Sequence, residues 1–198
     1  MTYLPTAEHD ELRAVVRELA TERIAPRAAE IDEKQEFPHD LRELLAVQDL
    51  LGTCFEERHG GTNLDTAAQS ILVEEIARAD ATTSLIPIVQ KLGALPILLA
   101  GSEEQKDRYL PRLASGEWLI AFALTEAAAG SDVASNRMRA TRDGDDYVLD
   151  GSKRFITHGS VANVLTVFAL TDPAGGGRKG MSALILEAGM PAVPPPRV

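Results

Sequence analysis

Two short stretches of this 198-residue chain carry residue types that suit a ligand. Residues 123–135 read ALTEAAAGSDVAS. An apolar run delivers Thr125 and Glu126 into the tiny side chains of Ala127, Ala128, Ala129 and Gly130, and Ser131 follows. Tiny side chains let a ligand approach the backbone and leave amides open as donors. Thr125 and Ser131 add hydroxyls. Such a loop can cradle a polar heterocycle or a phosphate, although an alanine-rich turn without a ligand has the same composition. Residues 151–159 read GSKRFITHG. Taken as a strand, this segment puts Phe155 and Thr157 on one face, a stacking surface beside a hydroxyl, while Ile156 packs inward. A core phenylalanine in an ordinary strand accounts for the same letters.

Other chemistry is sparse. His9, His39, His59 and His158 are scattered without metal-ligand spacing, so no metal site is expected. His158 reads as a surface turn residue. Arg137, Arg139, Arg142 and Arg154 either pair with ligand phosphates or form a solvated face. Cys54 is the single cysteine, which excludes an internal disulfide, and it reads as a small buried hydrophobe. Residues 175–177, three glycines, read as a hairpin turn because no helical pattern follows them. A net charge of −10 argues against a nucleic-acid partner.

The elements that must position these stretches fall into two blocks. Leu12, Val15, Val16, Leu19, Ile24, Ala28 and Ile31 mark a one-faced helix with a kink or restart at Pro26. Phe37-Pro38 opens a second helix with the stripe Leu41, Leu44, Leu45 and a stop at Gly52. After a loop at residues 54–63, a third helix carries Leu64, Ala68, Ile71, Leu72, Ile76 and Ala79. A fourth, residues 82–100, is apolar nearly all round and is expected in the centre of a bundle. Its core, residues 85–99, is too short and broken to span a bilayer. Ser102 and Gln105 have capping-box spacing, and Pro111 is expected to end the helix they open.

From Trp118 the texture changes. Residues 118–125, 138–142, 147–150, 154–157, 164–170 and 182–186 read as short strands. Asp143-Gly144 and residues 172–177 are turn signals between them. Helices first and strands second predict an α+β fold. The expected domains are an all-α helical bundle over residues 1–117 and an incomplete antiparallel β domain over residues 118–198. The proline-rich end, AGMPAVPPPRV, does not close that sheet.

Residues 123–135 match the acyl-CoA dehydrogenase signature at Ala123, Leu124, Thr125, Glu126, Ala129, Gly130, Ser131, Asp132 and Ser135, with Ala127 in place of the usual proline. LDGSKRFITHG resembles the second flavin segment of that family, with Phe155 for tryptophan and His158 for asparagine. FEERHGG at residues 55–61 is similar to the family's PEEYGG loop, and GMSALILE at 180–187 to its next strand. The resemblance runs from about residue 7 to about residue 190 in the right order.

That resemblance implies a flavoprotein oxidoreductase of fatty acid and lipid metabolism that binds FAD non-covalently. Phe122, Leu124 and Thr125 would lie along the flavin's pyrimidine side. Phe155 would pack on the ring system, with Ile156 and Thr157 at the flavin edge and Thr157 near N5. Gly130 and Ser131 would border flavin and pyrophosphate, and Ser131 would also touch the acyl-CoA substrate. The implied reaction is α,β-dehydrogenation of an acyl-CoA thioester. The family's catalytic base is a glutamate of a C-terminal helical domain outside this sequence, so no catalytic residue is assigned and Glu126 is read as loop-fixing. The implied acceptor is an electron-transfer flavoprotein and the implied assembly a homo-oligomer; the single cysteine and the polar N-terminus fit a cytoplasmic location, with no membrane partner. The alternatives are a non-catalytic truncated subunit that joins a complete relative, and a relative such as an acyl-CoA oxidase or flavin monooxygenase.

Overall fold

The computed structural model describes residues 5–191. The chain divides into two compact units, one of residues Met1–Lys91 with Ala100–Trp118, the other of Leu92–Leu99 with Leu119–Val198.

The first unit is helical. α1 (Ala7–Leu19) starts at a capping box between Thr6 and His9. It passes through a π-turn (Ala20–Ile24) and a 3₁₀ turn (Ala25–Arg27) that carries Pro26 before α2 (Ala28–Lys34) restarts. The proline-induced break is therefore spread over two irregular turns. α3 (His39–Val47) begins directly after Pro38. It ends five residues before Gly52, and Asp49 takes φ 56°. Gly52 serves a different purpose: a Cβ there would lie 3.0 Å from the Ala114 carbonyl oxygen.

α4 (Thr66–Ala79) is N-capped by Asp65. Its Glu75 carboxylate is fully buried and holds α1 onto α4 by accepting from Arg13 Nη1 at 2.5 Å, Arg17 Nε at 2.8 Å and Arg17 Nη2 at 2.9 Å. α6 (Glu103–Ala114) opens on the expected Ser102–Gln105 capping box. It runs through Pro111, which lies in the last turn and there costs only one backbone bond.

α5 (Ala81–Ala100) is continuous through Pro87 and Pro96. The expectation of all-round burial fails: Leu85, Leu92, Leu95 and Leu99 are exposed at near-heptad spacing. Apolar composition fixes neither which faces are covered nor by what. By length and apolarity α5 also meets the criterion for crossing a membrane, contrary to the sequence reading, because the helix outruns residues 85–99 and its prolines do not break it. Its buried Gln90 bonds the Leu113 and Trp118 carbonyls, each at 2.7 Å, as core helices do.

The second unit is built on β1 (Ile120–Ala123), β2 (Arg139–Asp143), β3 (Asp146–Asp150), β4 (Val164–Leu170) and β5 (Met181–Glu187). The sheet is mixed, which corrects the antiparallel expectation. β1 runs parallel to β4, with Ile120 opposite Val164, and β2 meets the end of β4 in parallel at Arg139–Leu170. Only the β2–β3 and β4–β5 pairs are antiparallel. Parallel pairing of β1 and β4 is possible because some forty residues separate them, ample for a crossover.

β4 is buried along most of its length. Its Thr166 hydroxyl donates to the Gly93 carbonyl on the second half of α5 at 2.8 Å. A Cβ on Gly93 would collide with Ile120 at 2.8 Å, so glycine lets that half-helix lie against β1. The glycine run expected as a plain turn forms a 3₁₀ turn and one helical turn, α7 (Gly176–Lys179). Residues 192–198 of the proline-rich end lie outside the described residues.

Candidate functional site: a loop wall at the end of β1

β1 ends at Ala123, and the chain leaves the sheet with Leu124, Thr125 and Glu126 half-buried. The tiny-residue turn closes on itself, Glu126 and Ala129 exchanging backbone bonds at 3.1 and 3.2 Å. A Cβ on Gly130 would meet nothing within 4 Å. The turn is therefore open to an approaching group.

Residues 151–159 run alongside this exit. The Arg154 amide donates to the Thr125 carbonyl at 2.8 Å, and His158 Nδ1 lies 3.1 Å from the Ile120 carbonyl oxygen. These two contacts place Phe155, Ile156 and Thr157 beside Phe122, Leu124 and Thr125. The sequence expectation of a strand over residues 154–157 is wrong. Phe155 and His158 both take left-handed backbone, φ 56° and 66°, so the segment is a series of bends. A bulky aromatic at positive φ costs roughly 1–2 kcal/mol. The outcome of that strain is that Phe155 is 90% exposed.

His158 is also unlike its expectation as a surface residue. It is 7% exposed, and burial, partly countered by the Ile120 carbonyl, lowers its pKa below the usual histidine value. It is a neutral internal strut between the bends and β1.

The other expected residues divide. Ser131 and Thr157 are exposed and Thr125 half-buried, and none of their hydroxyls hydrogen-bonds among the described residues. Ile156 is half-buried. Phe122 stacks at a tilt on Phe168, ring centroids 5.0 Å apart, so part of its ring is already committed to the sheet. Arg137, Arg139, Arg142 and Arg154 are all exposed. Arg137 and Arg139 line a cleft of about 370 Å³ with Ala127, Ala128 and Gly151.

The sequence reading missed Lys153. Its Nζ donates to the Leu124 carbonyl at 3.0 Å, to Glu126 Oε1 at 2.9 Å and to Asn136 Oδ1 at 2.9 Å. The Lys153 and Glu126 side chains are only 7% and 9% exposed. Glu126 also accepts from the Arg137 and Met138 amides at 2.8 and 2.9 Å. Burial alone would raise the Glu126 pKa, but Lys153 and the two amides outweigh it and hold the carboxyl below its usual value. Its two oxygens already accept three hydrogen bonds, from Lys153 and the two amides, so Glu126 is committed to holding the loop. The one available signal was a lysine in one segment facing a lone glutamate in the other.

Phe155 held out by strained backbone, the hydroxyls of Thr125, Ser131 and Thr157 and an open glycine turn all lie on the two segments that leave and flank β1. A helical unit followed by a mixed sheet that carries these segments defines the architecture. Residues 6–117 match the model of the acyl-CoA dehydrogenase N-terminal domain, and residues 121–197 match that of the acyl-CoA dehydrogenase middle domain. A probable acyl-CoA dehydrogenase of Mycobacterium tuberculosis is 45% identical over 180 residues, 91% of this chain and 46% of that protein. Butyryl-CoA dehydrogenase from Megasphaera elsdenii superposes with a TM-score of 0.88 at 35% identity, covering 96% of this chain and 51% of that one. A glutaryl-CoA dehydrogenase from Mycobacterium smegmatis in complex with FADH2 superposes with a TM-score of 0.87 at 31% identity, over 94% and 47% of the two chains. The chain belongs to the acyl-CoA dehydrogenase family. It spans about half the length of the relatives it matches.

Proposed function

We propose that the chain supplies one wall of the flavin site in an FAD-dependent enzyme that dehydrogenates an acyl-CoA thioester between its α- and β-carbons. The observation that carries this reading is Phe155, 90% exposed on strained backbone beside the unpaired hydroxyls of Thr125 and Thr157. An apolar ring turned to solvent at a cost in backbone energy calls for a stacking partner. The residues present fit FAD: an aromatic face, hydroxyl donors at two edges, and a glycine turn open to a pyrophosphate.

FAD, when bound, supplies the hydride acceptor and the chain tunes it. Phe155 would pack on its flat face, Thr125 would donate a hydrogen bond to its pyrimidine edge, and Thr157 would donate toward its reacting edge. Ser131 borders both cofactor and acyl-CoA, and Arg137 and Arg139 are free to meet phosphates. Polarising the thioester acidifies the α-carbon, and a carboxylate then removes the α-proton. Glu126 is not that carboxylate, because its oxygens already serve Lys153 and two amides. No residue of this chain is assigned as that base. The same reading makes an electron-transfer flavoprotein the acceptor, and the working enzyme a cytoplasmic homo-oligomer.

The test is a titration of the chain with FAD, read by flavin fluorescence, for the wild type and Phe155→Ala. Saturable binding that weakens about ten-fold in the variant is expected, since an aromatic stack contributes roughly 0.5–1.5 kcal/mol beyond its buried area. Equal binding by both proteins, or none by the wild type, overturns the reading.

A further inference from the structure

Lys153 joins three pieces of backbone at one ammonium. Its ammonium meets the Leu124 carbonyl, where the chain leaves β1, and Glu126, where the turn begins. It also meets Asn136, where the loop returns toward β2. Asn136 is itself buried and donates back to the Val133 carbonyl at 2.9 Å. Glu126 in turn holds the Arg137 and Met138 amides. Both ends of the Ser131 loop are thus fastened to the residue two places before Phe155. A buried lysine is costly unless every donor is matched, and here three acceptors match the three hydrogens of one ammonium.

We propose that Lys153 is the positioning residue of the cofactor wall, fixing the loop that carries Ser131 and the bend that carries Phe155 in one arrangement before any ligand arrives. The inference rests on the flavin reading for the identity of the ligand, but not for the existence of the lock. Lys153 does not touch the ligand. It lowers the ordering cost of binding by holding the loop already shaped; partners that orient metal ligands in the same indirect way alter affinity about 10–100-fold, and that is the scale expected here.

The experiment compares wild type, Lys153→Met, Lys153→Arg and Asn136→Ala. Two readouts are taken: FAD affinity by fluorescence, and amide hydrogen exchange across residues 126–138. In Lys153→Met, FAD binding weakens about 10–100-fold. Exchange across 126–138 speeds up, while the helical unit exchanges as in the wild type. Lys153→Arg recovers part of both, since it keeps the charge but cannot reproduce a three-acceptor tetrahedral contact. At saturating FAD the Lys153→Met protein shows an altered visible flavin spectrum, which a simple loss of stability does not produce. Affinity within about twofold of wild type, or unchanged exchange across the loop, overturns the proposal. If wild type binds no FAD, the flavin reading fails and the exchange comparison alone decides the lock. If Lys153→Met does not fold, Asn136→Ala, which keeps the Lys153–Glu126 pair, decides by the same criteria.

Discussion

Replacing Glu75 with glutamine tests how the helical unit is held together. The carboxylate is fully buried, and the two arginines of α1 close on it from a surface where their side chains are 28% and 50% exposed. Their hydrogen bonds, Arg17's foremost, outweigh burial and pull the Glu75 pKa from 4.5 to about 2. At about 1.36 kcal/mol per pH unit that drop corresponds to roughly 3 kcal/mol. Solvent reaches both arginines, so the expected cost of Glu75→Gln at neutral pH is about 2 kcal/mol, or roughly 4–8 °C in Tm.

A depressed carboxyl pKa contributes stability that is complete above its unfolded value of 4.5 and is lost as the pH falls toward 2. The gap between wild type and variant should therefore shrink below half by about pH 3. The assay is thermal unfolding by circular dichroism from pH 7 down to about 3, with Glu74→Gln as control. Glu74 meets the same Arg13 at 3.0 Å but is exposed, and its loss should cost less than about 0.5 kcal/mol. A Glu75→Gln protein as stable as wild type at pH 7, or a gap that does not narrow in acid, refutes the reasoning.

Two further outcomes are expected. Gly61→Ala should destabilise the protein by about 3 kcal/mol or more in chemical denaturation, because a Cβ there would sit 2.1 Å from the Phe55 carbonyl oxygen and 2.6 Å from that of Gly52. Burial pushes the Cys54 thiol up to about 11, so iodoacetamide at about pH 8 should alkylate the native protein about 100-fold more slowly than the urea-unfolded chain.

The helical unit was legible in the sequence because its signals are local. Pro26, the Ser102–Gln105 box and the three-and-four spacing of α4 act within one or two turns of chain. The signature segment was legible for the same reason. What escaped depends on partners distant in sequence. The direction of β1 against β4 is decided by the path of the forty residues between them. The exposure of Leu92 and Leu99 depends on what covers α5, which periodicity does not encode. Phe155 reads as a strand residue by propensity, and its left-handed backbone is imposed by the anchors on either side, Arg154 to Thr125 and His158 to Ile120. Lys153 carries no local signal in the sequence, and only the meeting of three segments makes it internal.

The sheet's connectivity also sets an order for folding. β1, β2 and β5 all pair with β4. Until residues 164–170 have been synthesised, β1 has no strand to pair with, and the β2–β3 hairpin is an isolated ribbon of the kind that is marginal in water. A ribosome-bound chain can form the turns of α1 to α4 locally and dock α1 on Glu75 once α4 has emerged, while β1 still lacks its strand partner. The wall is assembled late and at once, when a single strand arrives to serve as the template for those before and after it.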